Sequence, residues 1–380
     1  MGRTLNGGKP LSSSSKTVAA ALLGATASVG HVLYPLWLAA VTRSRPAPVP
    51  PTPRAWPGVT VVVPAYLESG VIAAKVRNLE ENGYPGTLDV IVVASDPDTS
   101  AAVRPTSARL SESPTRLGKP EALNRGVEAA LHPIVVLTDA NAMLKPGAIA
   151  SLVRWFSLPG VDAVAGEKRI LGEDEERFYW KFESWLKLLE WRRGTTIGID
   201  GGLVAVRREA YRPMPTYVTM DDIWLALDVV EHGGKIAYEP NARVLEDPAP
   251  PEADWERRTR VVACTHEVLW RRRRLLLPGR SDVTPMLWGH RVIRTSFGPL
   301  AHLLLLLMAV ASARRSRLAQ LFVAAHAGGL FAVVRVRRGA ETGFVERLAA
   351  HVLYLQAVGI GGTVRYLRRD RSALWRKVPR

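Results

Sequence analysis

Three short runs of β-branched residues constrain the fold of this chain more than any other feature. The runs are VTVVVPA (59–65), LDVIVVAS (88–95) and IVVLT (134–138). Unbroken apolar runs of this length are typical of strands that are buried on both faces of a parallel sheet. An acidic residue stands at or just past the end of each predicted strand, and these acids are Glu68, Asp96 and Asp139.

Helical patterns and a polar loop through residue 115 separate these runs. Two further strands are expected around KIAYE (235–239) and RVLE (243–246). The stretch VIAAKVRNLEENG (71–83) carries apolar residues at helical spacing, and KPEALNRGVEAAL (119–131) has a proline in its first turn. Strands that alternate with helices predict right-handed crossovers and an α/β fold with a doubly wound, mostly parallel sheet. Ligands of such sheets bind at the carboxyl ends of the strands, so the three acids are expected at one ligand-binding edge.

Each of these acids has a second explanation when it is taken alone. Asp residues at strand ends often stabilise turns or cap the helices that follow. Three acids at one edge favour a ligand site instead. No GxGxxG or GxxxxGK[ST] motif follows any of the runs, so the sequence does not indicate a direct phosphate-binding loop. The acids therefore favour a phosphate group held through a divalent cation, which oxygen ligands suit.

A second group of polar motifs lies further along the chain. GGLVAVRR (201–208) predicts a short strand after a glycine pair, and MDDIWLAL (220–227) opens a predicted helix with Asp221 and Asp222. Acids in this position either cap the helix or serve a site. The Trp-rich stretch 178–193 lies within the expected acceptor loops (167–197), where it either rests on a membrane interface or packs beneath the site.

Four uncharged apolar stretches flank this α/β region. The first, 18–41, is long enough to cross a bilayer. Its length and its weakly basic N-terminal flank favour a retained anchor over the alternative, a signal peptide. We expect two further spans at 295–313 and 318–334. The fourth stretch, 348–364, is the weakest, and we interpret it as an interfacial or re-entrant helix.

The charge distribution favours a membrane over nucleic acid as the partner. The formal net charge is +16, but residues 257–380 hold 24 Lys and Arg against 5 Asp and Glu. This basic charge lies beside apolar stretches, as at an anionic membrane surface. The basic segments 42–45 and 271–274 place residues 42–290 in the cytoplasm by the positive-inside tendency. The single cysteine, Cys264, excludes a disulfide framework and a Cys-rich metal site.

These patterns predict a multi-pass protein of the cell (plasma) membrane. We expect four segments: an N-terminal tail and transmembrane anchor (1–43), a Pro-rich linker (44–57), a cytoplasmic catalytic domain (58–285), and a C-terminal membrane region (286–380) with two spans and the interfacial or re-entrant helix.

Eight motifs, in this order, resemble those of the family 2 glycosyltransferases, which are inverting enzymes with the GT-A fold and are often tethered to membranes. The resemblance runs from about Val59 to Arg274. The motifs are VVPAYLES, VVASDPDT, GKPEALNRG, LTDAN, GGLVAVRR, MDDIWLAL, YEPNARVLED and RRTRV.

The resemblance implies a role for each group of site residues. Asp222 matches the general base, with Asp221 and Arg260 beside it in the catalytic group. Asp139 and Asn141 match the metal-binding DxD motif, which implies Mn2+ or Mg2+ as the cofactor. Gly201 and Gly202 belong to the acceptor side. The residues implied in nucleotide-sugar binding are Pro64, Ala65, Tyr66, Glu68, Asp96, Lys119, Asp139 and Arg257.

Two departures from the family pattern bear on function. Asn141 stands where many members have a second acid, so a metal would depend more on Asp139 and on the diphosphate. Processive synthases carry a QxxRW motif, whereas this chain has Arg257, Arg260 and Val261 at its three defining positions. Valine offers no aromatic face on which a sugar can stack, which favours the addition of one or a few sugars. For RRTR, a membrane-surface patch is an equally good interpretation.

The resemblance implies an enzyme of polysaccharide biosynthesis that moves a sugar from a nucleotide-sugar donor to a glycan or lipid-linked acceptor, with membrane lipids and no nucleic acid as partners. Two alternatives remain open. The chain could be an inactive relative that senses a nucleotide sugar or scaffolds an envelope complex. It could also transfer sugar to a polyprenyl phosphate.

Overall fold

The computed structural model describes residues 13–170, 174–246 and 251–369. The predicted tail up to residue 12, Asp247 of the YEPNARVLED motif and the C-terminal residues from 370 lie outside these ranges. The chain divides into two compact units. One contains Met1–Pro35 and Gly289–Ile360, and the other contains Leu36–Trp288 and Gly361–Arg380.

The larger unit is built on an eight-stranded sheet with the order β3-β2-β1-β4-β7-β6-β8-β5. Four neighbouring pairs are parallel (β1 with β2 and with β4, β2 with β3, and β6 with β8), and the other three are antiparallel. This is the mixed, mainly parallel sheet of a GT-A fold, as predicted. The strands are β1 Val59–Ala65, β2 Leu88–Ala94, β3 Arg109–Glu112, β4 Ile134–Leu137, β5 Met143–Leu144, β6 Val161–Ile170, β7 Val204–Arg207 and β8 Lys235–Glu246.

Thirteen α-helices, together with shorter turns of other helix types, complete the described chain. The α-helices are α1 Ser13–Ser28, α2 Tyr34–Thr42, α3 Ile72–Glu80, α4 Pro97–Val103, α5 Lys119–Glu128, α6 Ala148–Val153, α7 Asp174–Arg193, α8 Asp221–Glu231, α9 Pro251–Arg271, α10 Thr284–Met286, α11 Gly298–Ser312, α12 Arg317–Arg337 and α13 Phe344–Leu367. Val29–Leu33 and Leu287–Phe297 are π-helical, and Arg154–Ser157, Arg208–Ala210 and Arg273–Leu276 are 3₁₀ turns.

In β1, α3 and α5, the burial of the side chains matches the apolar pattern of the sequence. Every β1 residue except Pro64 is buried, as expected of a strand that is covered on both faces. The apolar residues of α3 and α5 occupy one face each, and α5 packs on β1 and β2.

Three segments differ from the sequence-based description. The polar stretch up to residue 115, expected to be a loop, contains α4 and the edge strand β3. The expected acceptor loop 167–197 is largely the end of β6 and the long helix α7. The two strands expected after α8 are one twelve-residue strand, β8. Contacts with segments that are distant in sequence decide whether these elements form, and the local sequence pattern does not reveal such contacts.

The smaller unit is helical. Within it, α1 packs against α11, and α11 packs against α12. In the described chain, three helices are long and apolar enough to cross a membrane, namely Ser14–Thr42, Thr284–Ser312 and Arg317–Arg337. They coincide with the three predicted spans, while α13, which contains the fourth apolar stretch, is not among them.

Candidate active site

A cleft opens where β4 and β7 meet. These strands pair antiparallel, with Leu137 opposite Val204, so the segment after β4 lies beside the segment before β7. Residues more than 60 positions apart in sequence therefore share one site. The cleft is lined by Pro64, Lys119, Leu123, Leu137, Thr138, Asp139, Gly201, Val204, Met214, Asp221, Asp222 and Leu225.

Lys119 joins the two acidic motifs at the centre of this cleft. Its Nζ lies 2.8 Å from Asp139 Oδ1 and 3.0 Å from Asp221 Oδ2. Burial by itself would lower the pKa of Lys119, but the two carboxylates outweigh this effect and raise the pKa above its usual value. Gly201 is required by this arrangement, because a Cβ there would lie only 2.9 Å from Lys119 Nζ.

The two acids at the start of α8 have different surroundings. Asp221 is held by Lys119, whereas Asp222 lines the same cleft and its Oδ1 accepts a hydrogen bond of 2.7 Å from the backbone N–H of Ile223. The helix N-terminus stabilises negative charge on both carboxylates. Of the two, Asp221 is therefore the acid engaged by a lysine.

Asp96 organises the loop after β1. Its carboxylate accepts hydrogen bonds from the backbone N–H groups of Leu67 at 2.7 Å and Thr99 at 2.9 Å, and it caps α4. Thr99 Oγ1 in turn accepts from the N–H of Glu68 at 2.9 Å. Leu67 has a φ of +56°, a conformation that costs energy for a branched residue, and these hydrogen bonds hold it in place.

Tyr66 lies in the same loop, and its ring makes a cation–π interaction with Arg116. The guanidinium carbon of Arg116 is 4.5 Å from the ring centroid. Ala65 anchors the loop to β2, since its carbonyl accepts from the N–H of Ser95 at 3.0 Å. Arg116 was not predicted, although it lies only three residues before Lys119.

The residues of the DAN motif fit a hard divalent cation. Asp139 offers a carboxylate with a 32% exposed side chain, and Asn141 adds an amide oxygen on a half-buried residue. The Lys119 ammonium shows that positive charge is stabilised between Asp139 and Asp221. The described residues contain no cluster of three or more His, Cys, Asp or Glu side chains that could enclose a metal. The protein therefore supplies few ligands, and oxygen atoms of a bound diphosphate would have to supply the others.

Arg257 and Arg260 do not line the cleft. Both lie on α9, where Arg257 pairs with Asp254 at 3.0 Å. Burial lowers the pKa of Arg260, and the neighbouring positive charge of Arg365 lowers it further, although Cys264 and Glu256 oppose both effects. The structure thus places this arginine pair beside other charged residues of α9 and α13 and not among the acids of the cleft.

One residue of the GKPEALNRG motif has a role that the sequence analysis missed. The Oδ1 atom of Asn124 accepts hydrogen bonds from the Tyr211 hydroxyl at 2.9 Å and from the N–H of Met214 at 2.8 Å. Its Nδ2 donates to the Met214 carbonyl at 2.8 Å. Asn124 therefore fixes the segment that brings Met214 to the cleft wall.

Buried charged residues hold the segment that contains Gly201 and Gly202. Lys187 of α7 is 3% exposed, and its Nζ lies 2.7 Å from Asp200, the residue before Gly201. Burial alone would lower the pKa of Lys187, but Asp200 and Glu167 raise it overall. A Cβ on Gly202 would lie 2.6 Å from Glu246 Oε1, so a larger residue there would displace the Glu246 carboxylate. From residue 179 on, α7 packs beneath the site, which favours the second of its two predicted roles.

Comparison with one solved structure supports the fold over nearly the whole chain, and two others are similar over a smaller part of it. The mannosyltransferase PcManGT from Pyrobaculum calidifontis, solved with GDP-Man and Mn2+, is similar with a TM-score of 0.76 and 27% identity, covering 93% of this chain and 99% of that chain. Glucosyl-3-phosphoglycerate synthase from Mycobacterium tuberculosis is similar over 61% of this chain and 82% of that chain, with 22% identity and a TM-score of 0.41. Mannosyl-3-phosphoglycerate synthase from Rubrobacter xylanophilus covers 59% of this chain and 78% of that chain, with 15% identity and a TM-score of 0.44.

No curated protein matches the chain. A family model does match, and it covers residues 57–264, which include the sheet, the cleft and its acids. The order of the motifs, the GT-A sheet and this match agree. The chain belongs to the glycosyltransferase-like family 2.

Proposed function

We propose that the protein is an inverting, metal-dependent glycosyltransferase that moves a sugar from a nucleotide-sugar donor to a glycan or lipid-linked acceptor at the membrane. One observation supports this above all. Lys119 bridges Asp139 and Asp221 in a cleft that Asp222 also lines. A diphosphate-binding acid and a candidate base thereby lie within one small site.

The proposed reaction is a displacement at the anomeric carbon of the donor sugar. The acceptor oxygen forms the new bond as the bond to the diphosphate breaks, and Asp222 takes the proton of the acceptor hydroxyl. Lys119 keeps positive charge beside the departing diphosphate, where it can donate charge-assisted hydrogen bonds. A divalent cation held by Asp139 and Asn141 would supply further neutralisation of the leaving group when bound. Asp221 keeps Lys119 in place.

The acceptor side favours short products at a membrane. Three helices of the described residues have the length and composition of membrane spans, and a lipid-linked acceptor would be delivered at that surface. Val261 lies on α9 at the position where processive relatives carry a tryptophan, so no aromatic platform is available there for a growing chain. We infer that one or a few sugars are added. The basic segments beside the first two spans favour a cytoplasmic catalytic unit.

The decisive experiment uses membrane vesicles that contain the full chain, in inverted and right-side-out orientation. A panel of nucleotide sugars, beginning with GDP-mannose and UDP-glucose, is added with a membrane lipid extract as the acceptor source. Transfer should occur with one donor, only in inverted vesicles. It should stop with excess chelator and return with Mn2+ or Mg2+. Products should be extended by one or a few sugars on size analysis.

Each part of the proposal has an outcome that contradicts it. Donor binding without any transfer would favour the inactive sensor or scaffold. Full activity in excess chelator would exclude the metal, and transfer by right-side-out vesicles would reverse the orientation. Long polymer from purified protein would contradict the limited product length. Transfer to added polyprenyl phosphate alone would identify that lipid as the acceptor.

A further inference from the structure

Lys75 is an ionisable side chain buried at a position where no substrate can reach it. It lies in α3 and is fully buried. Within the described ranges it makes no ion pair, although Asp139 and Glu246 are the charges that act on it most strongly. Burial lowers the pKa of Lys75 to about 7, although both carboxylates act in the opposite direction. Burying an amino group costs free energy unless its donors are satisfied, so its partners indicate its purpose.

The partners of Lys75 are the two ends of the DAN loop. The ζ-amino group donates to Thr138 Oγ1 at 2.9 Å and to the carbonyl oxygen of Ala142. Thr138 and Ala142 are themselves buried, and they enclose Asp139 and Asn141, the residues proposed to hold the metal. One side chain therefore fixes the residue before this pair and the residue after it.

Thr138 extends this connection across the cleft. Its hydroxyl donates to the carbonyl oxygen of Gly202 at 2.7 Å. A hydroxyl has a single proton, so the proton given to Gly202 leaves its lone pairs to accept from Lys75. The directions of the two hydrogen bonds are thus mutually consistent. They form a continuous path from α3, through the loop after β4, to the acceptor-side glycine pair.

Two nearby asparagines provide an internal comparison, Asn78 on α3 and Asn82 just past its end. Asn78 exchanges two hydrogen bonds with the backbone of Leu144, at 2.8 and 2.9 Å, and Asn82 donates to the Lys145 carbonyl at 2.9 Å. Neutral amides are therefore sufficient to hold the following backbone against this helix. Only Lys75, which is close to Asp139, also reaches Thr138 and through it Gly202.

We propose that Lys75 is a positioning residue of the transfer reaction, which fixes the loop 139–141 relative to Gly202. The inference rests on the proposed function. A fixed spacing matters because the donor diphosphate is held on one side of the cleft and the acceptor is held on the other. Lys75 keeps the two sides in register without contacting either substrate.

The test is a double-mutant cycle in the full chain. Lys75→Met keeps the length of the side chain but removes its donors, and Thr138→Val keeps the shape but removes the hydroxyl. Each variant should raise the half-saturating Mn2+ concentration and lower kcat/KM for the donor by roughly 10- to 100-fold, as is usual when a partner of a metal ligand is lost. The double variant should be little worse than Lys75→Met, because both changes break one path. Thr138→Ser should remain near wild type.

Asn78→Leu is the matched control. It breaks hydrogen bonds of the same helix face, so it should lower the melting temperature while the kinetics and the Mn2+ response stay within about twofold of wild type. Calorimetry with the nucleoside diphosphate and Mn2+ gives a readout that does not need turnover.

Unchanged Mn2+ response and kinetics in Lys75→Met, or effects that simply add in the double variant, would overturn the role of Lys75. If Lys75→Met does not fold, Thr138→Val decides the question by the same measures. A wild-type protein that neither binds nor turns over any nucleotide sugar would instead refute the proposed function, and the role of Lys75 with it.

Discussion

The two halves of the sheet, which we call the donor half and the acceptor half after the substrates that we propose they bind, position their site residues in different ways. In the donor half, β3, β2, β1 and β4 are all parallel, and Asp96 and Asp139 follow their strands within two residues. Single side chains that bond to the backbone hold these loops, Asp96 after β1 and Lys75 after β4. In the acceptor half, β7, β6, β8 and β5 are paired mainly antiparallel, and the glycine pair is supported by buried charges.

A network of polar and charged side chains supports the acceptor half. Lys187 binds Asp200, and the fully buried Glu167 accepts hydrogen bonds from the hydroxyls of Ser184 and Tyr238, each at 2.6 Å. These residues come from α7, from two strands and from the loop before β7. The comparison teaches that the donor half depends on strand ends, which are local, while the acceptor half depends on side chains that meet only after folding.

The largest expected effect is on the chemical step, and it tests whether the acceptor half supplies the base. Asp222→Asn should lower kcat by roughly 10²–10⁴-fold, because it removes the proton acceptor. Donor affinity should stay within a few-fold, since the amide oxygen can still accept from the N–H of Ile223. Asp221→Asn is the matched variant, and it should be milder because Asp221 serves Lys119. Near-native turnover of Asp222→Asn, with activity lost in Asp221→Asn, would reverse the assignment.

The second effect is on stability, and it tests the buried network. Lys187→Met leaves Asp200 without the buried cation that pairs with it, which should cost about 3 kcal/mol of unfolding free energy. The melting temperature should fall by roughly 6–12 °C, as measured by thermal unfolding in detergent. Lys235→Met removes the same charge from an exposed position and should change little. Equal melting temperatures for the two variants would show that the network does not stabilise this half.

The smallest effect is on donor affinity, and it tests how the donor half holds the nucleotide. Arg116→Gln removes the cation over Tyr66, an interaction worth roughly 0.5–1 kcal/mol at an exposed site. The KM for the donor should rise by about two- to fivefold while kcat stays constant. Arg104→Gln, on a more exposed arginine that pairs with Glu112, is the control. A fall in kcat with an unchanged KM would contradict a role in nucleotide binding.

The sequence predicts the elements of the donor half better than those of the acceptor half. The strands β1, β2 and β4 and the helices α3, α5 and α8 are predicted correctly, because a doubly buried strand or an amphipathic helix carries its own pattern. The edge strand β3, with the sequence RLSE, has no apolar pattern at all. The strand β6 and the unbroken β8 depend on pairing with each other, which no local window reports.

The sequence also predicts only some of the individual residues of the site. The resemblance of the motifs to those of the family was enough to select Lys119, Asp139 and Asp221, which the structure brings together. Asn124 lies inside the GKPEALNRG motif, so this motif could have indicated its role. Lys75 was missed because a lysine in an amphipathic helix is normally exposed, and only the loop that covers α3 makes it buried.

The sequence by itself determined that acids would stand at the ends of parallel strands, because the run of β-branched residues and the residue that ends it are adjacent in the chain. The tertiary structure alone decided that Lys119 would join Asp139 to Asp221, and that Lys75 would reach Gly202 through Thr138. The contact of Thr138 with Gly202 follows from the antiparallel pairing of Leu137 with Val204. That pairing aligns two chain segments 67 residues apart, and it is decided by the packing of the whole sheet.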